Sequence, residues 1–368
     1  MVGFKALNMK IYNCDLCGHQ IYFENTLCLS CGSQLGYLPL LDHMSSLEPI
    51  DGTWWKAPAP ALQGARYRKC QNYQKENICN WMISQDDLYD FCISCRLNEM
   101  IPDLSIPENH QYWHRIELAK RRLIYTLLRL GLPLRNKKEN PRDGLAFVFL
   151  ADDNIQEELE TKRVFIGHFK GRITMNIAEA NDAIREKMRL DMNEEYRTLL
   201  GHFRHEIGHY YWFLLIENNQ DLLAQFRQVF GNEEEDYNQA LKRYYAQGPV
   251  LDWSQHYVCA YASAHPWEDW AESWAHYFHM FDALETAQAL GLTAKFKEGH
   301  ESKIIDWGGD LHNFEAMKSQ WGYLCATLNS LNRSMGMKDV YPFVLPDAGI
   351  AKLGFIHKVI GHFKERVN

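Results

Sequence analysis

Long hydrophobic runs are absent from this sequence. No stretch of its 368 residues approaches the ~18 consecutive apolar residues of a membrane span, and the first ten residues lack an apolar segment of secretory length. We therefore expect a soluble, cytoplasmic protein without a membrane partner. Its cysteines are then expected to be reduced, because disulfides are rare in that compartment.

Positive charge is also in short supply. Lys and Arg number 39 against 47 Asp and Glu, so the formal net charge is −8, and no segment forms a basic stripe. This balance argues against nucleic acid as the main partner. A glycine-rich phosphate loop, an internal repeat and a low-complexity tract are absent too. The 46% hydrophobic content is typical of a globular chain, and its length allows two or three domains.

What the chain does have is a concentration of cysteine at one end. Eight of its ten cysteines precede residue 96. Two Cys-x-x-Cys-Gly knuckles come first, and their four thiolates suit one tetrahedral structural zinc: Cys14, Cys17, Cys28 and Cys31. Disulfides are the alternative interpretation, but they need an oxidising compartment for which the sequence has no signal.

A second group of cysteines predicts a second structural zinc. Its members are Cys70, Cys79, Cys92 and Cys95, of which the last two have Cys-x-x-Cys spacing. Buried thiols beside an incidental Cys-x-x-Cys are the alternative. Cys259 and Cys325 are isolated and are expected to be buried small residues. We place a zinc-ribbon region at residues 1–105, which either binds a protein partner or braces its neighbour.

The second domain, residues 106–368, is predicted to be mostly helical with a small sheet, which gives an α+β fold. Helical periodicity covers 117–130, a buried strand covers 144–151, and strands at 164–168 and 172–177 flank a Lys-Gly turn. We expect 172–177 to be the edge strand beside the functional site. Further helices are predicted from about 194 to 216, at 221–230, at 237–245, from 314 to about 335, and near 351–362.

The helix from about 194 to 216 contains His205-Glu206-Ile207-Gly208-His209. Positions i and i+4 share one helix face, so His205 and His209 can hold one zinc ion while Glu206 lies beside it. In zinc hydrolases such a carboxylate takes a proton from the zinc-activated water. The pattern thus predicts a catalytic zinc with Glu206 as general base.

A third zinc ligand is expected about sixty residues later, where Pro266 suits the first turn of a helix. Glu268 is the preferred ligand, and Glu272, one turn on, is expected to accept the remaining ring N–H of a ligating histidine. Glu272 itself, Asp269 and His276 are the competing ligands. A capped helix with an acidic first turn is the non-functional alternative.

His-Glu-x-x-His with a later Glu-Asp-Trp-Ala-Glu resembles the gluzincin-type zinc metallopeptidases. The resemblance implies Glu268 as third ligand and Glu272 as support for a zinc-bound histidine. It also implies a transition-state tyrosine seven residues before the glutamate ligand, where Tyr261 stands; a buried tyrosine without that role, or nearby Tyr257, is the alternative. Nearly end to end, the chain resembles the bacterial zinc-binding metallopeptidase family, in which a zinc ribbon precedes a zincin domain.

These observations predict a zinc metallopeptidase that cleaves a peptide or protein substrate and holds three zinc ions, one catalytic and two structural. Two other functions stay open. One is a non-catalytic, zinc-stabilised module that binds a protein partner, and the other is a zinc amidohydrolase acting on small amides.

Overall fold

The structure is a computed structural model that describes residues 11–58, 64–151, 167–191, 198–298 and 301–364. Its strands are β1 (Tyr12–Asn13), β2 (Gln20–Ile21), β3 (Gln34–Leu38), β4 (His43–Pro49), β5 (Trp54–Lys56), β6 (Tyr67–Lys69), β7 (Met82–Ser84), β8 (Asn98–Met100), β9 (Ala146–Leu150), β10 (Gly167–Phe169), β11 (Arg172–Asn176), β12 (Thr293–Glu298) and β13 (Glu301–Asp306). Its α-helices are α1 (Gln71–Gln74), α2 (Pro107–Arg129), α3 (Asp182–Asp191), α4 (Leu199–Leu215), α5 (Gln220–Phe230), α6 (Tyr237–Gln247), α7 (Trp253–His256), α8 (Pro266–Ala289), α9 (Phe314–Ser334) and α10 (Asp347–Lys364).

The first part of the chain is built of short antiparallel strands. Strands β3 to β7 form a five-stranded sheet in sequence order, and β1 pairs with β2 inside the first cysteine knuckle region. After each knuckle the backbone takes a left-handed conformation at a glycine, with φ of +72° at Gly18 and +74° at Gly32. Only glycine adopts this conformation without steric cost, which explains the Cys-x-x-Cys-Gly pattern.

The second sheet has four strands in the order β10-β11-β9-β8. Strands β10 and β11 form the predicted hairpin around Lys170 and Gly171, which both have positive φ; residues 164–166 of that prediction lie outside the described residues. Strand β11 also pairs with β9 in parallel. The expectation that 172–177 is the edge strand is therefore wrong. The tight turn folds β10 onto the outer side of β11, so among the described strands β10 forms one edge of this sheet and β8 the other.

Helix α2 joins the two parts of the molecule. Strand β8 precedes the predicted boundary at residue 105, yet it pairs in parallel with β9 of the second sheet. On the other side of α2, the rings of Phe23 and Tyr125 lie 5.5 Å apart, and Arg121 donates to the carbonyl of Ile78. One apolar core therefore runs from the cysteine-rich part into the helical part. The boundary itself stays a prediction.

The remainder of the second part is helical apart from the antiparallel pair β12 and β13, and the predicted α+β fold is confirmed. The predicted helices at 117–130, 221–230, 237–245, 314–335 and 351–362 lie within or overlap α2, α5, α6, α9 and α10. The helix expected from about 194 begins at Leu199 among the described residues; 194–197 lie outside them. None of the helices in the described ranges is long and apolar enough to cross a membrane.

Candidate functional site

Helix α4 presents the predicted metal-binding histidines on one face. The helix starts where the Thr198 side chain accepts from the Gly201 N–H at 2.9 Å. Such a cap satisfies one of the free amides at a helix N-terminus. His205 and His209 follow one turn apart, and their Nε2 atoms lie 3.1 Å from each other. The two imidazole rings therefore direct their Nε2 atoms towards one common position.

A glycine lets helix α8, which carries the predicted third ligand, approach this face. A Cβ added to Gly208 would lie 3.0 Å from the Cα of Ala271 and 3.1 Å from the Cβ of Trp274. The indole N–H of Trp270 also donates to the Gly208 carbonyl at 2.8 Å. Helix α8 thus packs directly against the backbone of α4, because no side chain at 208 separates them. Pro266 begins α8, as the sequence predicts.

Helix α8 brings the carboxylate of Glu268 to the two imidazoles. Glu268 Oε2 lies 3.1 Å from His205 Nε2, and Oε1 lies 3.7 Å from His209 Nε2. One ligand atom from each of the three residues falls within 4.8 Å of the others. A tetrahedral zinc with ligand distances of about 2.0–2.1 Å separates its ligands by about 3.3 Å, so these spacings fit zinc.

The hydrogen bonding around the three side chains also favours a cation between them. Glu272 Oε1 lies 2.6 Å from His205 Nδ1, the contact that the sequence predicts. Because a carboxylate only accepts, Nδ1 carries a proton, and in the neutral ring that metal ligation requires, His205 Nε2 then directs its lone pair at the centre of the cluster. Glu268 Oε2 is buried without a hydrogen-bond partner among the described residues. Electron pairs that converge in this way are stabilised by a bound metal ion.

The competing ligands face elsewhere. Asp269 is paired with Lys352, whose Nζ lies 2.6 Å from its Oδ2. His276 makes a 2.6 Å hydrogen bond with the hydroxyl of Tyr341. Glu272 contacts the outer nitrogen of His205 rather than the shared centre. Of the four candidates for the third zinc ligand, Glu268 is the one whose side chain reaches the space between the two imidazoles.

Glu206 lies on the same helix, and its two carboxylate oxygens have different surroundings. Oε1 lies 3.2 Å from Nε2 of His202, one helical turn earlier. Oε2 is buried without a hydrogen-bond partner among the described residues. Burial by itself raises the pKa of Glu206, but the hydrogen bond from His202 and the nearby rings of His205 and His209 lower it to about 2. Glu206 is therefore ionised, with one oxygen held and the other available.

Tyr261 lies beside the candidate metal-binding histidines. It begins a 3₁₀ turn, Tyr261–Ala264, immediately before α8, and its ring centroid lies 6.1 Å from that of His205. Burial and then the negative charge of Glu268 raise the pKa of its phenol well above its usual value. Tyr261 thus stays a neutral hydrogen-bond donor near the cluster, and its role in the reaction stays a prediction.

The cysteines form two clusters of four thiols with the predicted membership. In each cluster the four Sγ atoms lie within 4.8 Å of one another. The Sγ–Sγ distances are 3.6 Å for Cys14–Cys31, 3.7 Å for Cys17–Cys28 and 3.8 Å for Cys79–Cys92. Four thiolates about 2.3 Å from a zinc ion are about 3.8 Å apart, so both clusters fit structural zinc. All ten cysteines are free thiols.

Four residues around the site were not identified from the sequence. His202 and Glu179 are hydrogen-bonded to each other, and His202 to Glu206. Tyr237, at the start of α6, donates to Glu268 Oε1 at 2.6 Å, and Cys259 donates to Glu272 Oε2 at 3.1 Å. His202 could have been suspected, because it precedes Glu206 by four residues on a helix. The other three come from separate elements, and no local pattern marks them.

The structure thus has a cysteine-rich ribbon region in front of a mostly helical domain, in which three side chains converge as candidate zinc ligands. The family described as "Putative zinc-binding metallo-peptidase" matches residues 109–359, and a zinc-ribbon domain family matches residues 11–106. The chain belongs to this metallopeptidase family.

Its relatives include one protein of Mycobacterium bovis and two of Mycobacterium tuberculosis, each carrying the name "Uncharacterized protein". Each is 40% identical over 352 residues, which cover 96% of this chain and 95% of the relative. No solved structure matches the chain.

Proposed function

We propose that this chain is a zinc-dependent metallopeptidase that hydrolyses peptide bonds with Glu206 as its general base. The observation that carries the proposal is the convergence of three ligand atoms, from His205, His209 and Glu268, on one point beside Glu206. Three protein ligands leave one tetrahedral position for water or substrate, which is typical of a catalytic rather than a structural zinc. The rival function, a closed structural zinc, needs a fourth protein ligand.

Each residue of the site has a separate role in the proposed hydrolysis. A bound zinc supplies Lewis acidity, which polarises the substrate carbonyl and lowers the pKa of water. Glu206 takes a proton from the attacking water through its free oxygen, Oε2, and then delivers it to the leaving amine. Glu272 holds the ring of His205 in orientation through the hydrogen bond at Nδ1. Tyr261 donates a hydrogen bond to the oxygen of the carbonyl as charge develops on it.

Strand β10 gives an extended substrate a place to bind. Among the described strands it is one of the two edges of the second sheet, and it is the edge that packs beside α4, where the ring of His168 lies 6.0 Å from those of Tyr210 and Phe213. An extended peptide can add to such an edge through backbone hydrogen bonds. This supports a peptide over a small amide as the substrate, since a small amide makes no use of an edge strand.

The ribbon region contributes two further zinc ions and a surface. We propose that the two cysteine clusters hold structural zinc, for a total of three ions per chain, and that the ribbon offers a surface to a protein partner or substrate. The acidic net charge favours a protein over a nucleic acid at this surface.

Digestion of a peptide library tests the proposed activity. Wild-type protein is expected to cleave library peptides, and Glu206→Gln is expected to retain zinc while losing hydrolysis, because the amide cannot take up the proton. Glu217→Gln, an exposed glutamate just beyond the same helix, is the matched control and is expected to behave as wild type. Undiminished turnover by Glu206→Gln contradicts the assignment, and cleavage of small amides but no peptides identifies an amidohydrolase instead.

A further inference from the structure

Hydrogen bonds connect Glu206 to two side chains outside the metal centre, His202 and Glu179. His202 Nδ1 lies 2.7 Å from Oε2 of Glu179, and His202 Nε2 lies 3.2 Å from Oε1 of Glu206. Both carboxylates are buried, with 3% of Glu179 and 6% of Glu206 exposed. An imidazole therefore bridges two buried acids, a costly arrangement unless its hydrogen bonds are made.

The protonation of His202 follows from this geometry. Ionised carboxylate oxygens only accept hydrogen bonds, so both ring nitrogens of His202 must donate, and the ring carries a positive charge. Burial by itself lowers the pKa of His202, but the charge and hydrogen bond of Glu179, together with the hydrogen bond to Glu206, raise it to about 10. With both acids ionised, the protonated ring reduces the net charge buried in the three groups from −2 to −1.

Glu179, the residue of this network farthest from Glu206, lies on a turn that is held by two helices. Glu179 belongs to the 3₁₀ turn Ile177–Ala180, which follows β11 and starts where the Asn176 side chain accepts from the Ala178 N–H. Arg115 of α2 donates to the Ala180 carbonyl at 2.9 Å, and Arg185 of α3 donates to the Glu179 carbonyl at 2.8 Å. Two helices therefore fix the turn, and the turn fixes Glu179.

We propose that His202, anchored by Glu179, is a positioning residue that holds Oε1 of Glu206 so that Oε2 is the oxygen that takes the proton. The inference rests on the proposed function of Glu206. It explains why Oε2 is buried without a hydrogen-bond partner among the described residues, whereas Oε1 has one. A carboxylate with one oxygen held cannot rotate its second oxygen away from the water without breaking a charge-assisted hydrogen bond.

Three substitutions of His202 separate positioning from general stability. His202→Leu removes both hydrogen bonds and is expected to lower kcat by about 10–100-fold, the usual effect of losing a group that orients a metal site. His202→Gln can place an amide N–H near the position of Nε2 and is expected to retain more activity than His202→Asn, whose shorter amide reaches Glu179 instead. KM should stay near the wild-type value, because His202 contacts the base rather than the substrate.

A matched control exists on α10. His357 is also half-buried and also uses both ring nitrogens, through the Tyr277 hydroxyl at 2.9 Å and the His312 carbonyl at 3.0 Å. It lies away from the metal centre, so His357→Leu is expected to leave kcat unchanged. Zinc content is expected to equal that of wild type in all of these variants.

A second measurement needs no substrate. In zinc-loaded, ¹⁵N-labelled protein, long-range ¹H–¹⁵N NMR of the histidine rings is expected to show both nitrogens of His202 protonated at neutral pH. Glu179→Gln, which removes one of the two negative charges, is expected to leave a single protonated nitrogen. A wild-type His202 ring with only one protonated nitrogen overturns the proposal, even if His202→Leu fails to fold.

The failure of this proposal is distinguishable from failure of the peptidase function. If Glu206→Gln abolishes hydrolysis but folded His202→Leu matches wild type, the positioning role is wrong and the function stands. If Glu206→Gln still turns over peptide, the proposed function is wrong, and with it the role of His202.

Discussion

Gly208 of α4 lies against Ala271 of α8, so closely that a Cβ on the glycine would come within 3.0 Å of the Ala271 Cα. This contact sets the distance between the helix that carries His205 and His209 and the helix that carries Glu268. The glycine that precedes His209 in His-Glu-x-x-His is therefore a packing requirement of the candidate metal centre.

Gly208→Ala should accordingly weaken zinc binding at this centre. Alanine gains about 1 kcal/mol of helix propensity over glycine, but overpacking against a backbone atom costs about 1–3 kcal/mol and pushes α8 away. Gly322→Ala on α9 is the control, because a Cβ there meets nothing within 4 Å. Competition with a chelator measures the zinc affinity; wild-type affinity in Gly208→Ala would show that the close approach does not control the site.

Substitution of the neighbouring acids Glu268 and Asp269 on α8 should have different effects, one on zinc binding and the other on stability. Glu268→Gln is expected to lose the zinc at His205 and His209. Asp269→Asn is expected to keep that zinc but to lower the free energy of unfolding by about 3 kcal/mol, because Lys352 loses its buried partner. Zinc analysis and denaturant unfolding of the two variants check this prediction. If Asp269→Asn lost the zinc and Glu268→Gln kept it, Asp269 rather than Glu268 would be the zinc ligand.

The hydroxyl of Tyr237 should contribute to metal affinity. It donates to Glu268 Oε1 and so orients the carboxylate towards the two imidazoles. Tyr237→Phe is expected to lower zinc affinity by about tenfold, the lower end of the effect of such supporting groups. Tyr245→Phe, at an exposed position on the same helix, is the control. Equal affinities in the two variants would count against the orienting role.

The second cysteine cluster should be required for folding of the first part. All four of its thiols are buried, and Cys95 lies 3.9 Å from buried Glu117 of α2. Cys92→Ser is expected to lose one zinc ion per chain and to lower Tm, because structural zinc contributes folding free energy directly. Cys325→Ser, outside both clusters, is expected to change neither. An unchanged zinc count in Cys92→Ser would remove this cluster as a zinc site.

Much of this architecture is predictable because its signals are local. Knuckle glycines, helix periodicity and the i, i+4 spacing of His205 and His209 each depend on a few neighbouring residues. The choice of Glu268 over Asp269 was also possible, because Glu268 and Glu272 share one helix face.

The remaining features depend on contacts between distant segments. Position 202 reads as an ordinary helix histidine until the turn after β11 places Glu179 beside it. The prediction that 172–177 is the edge strand is wrong for a similar reason. Whether β11 lies at the edge depends on its pairing with β9, and no residue in 172–177 encodes that pairing. Tyr237 and Cys259 reach the site only through the packing of α6 and the turn before α8.

The central claim, a zinc ion held by His205, His209 and Glu268, is tested most directly by counting zinc per chain. Wild-type protein, purified without chelator and analysed by elemental mass spectrometry, is expected to hold three ions, one at each cluster. The double variant His205→Ala, His209→Ala is expected to hold two, with both cysteine clusters still filled. An equal zinc count in the two proteins would contradict the claim.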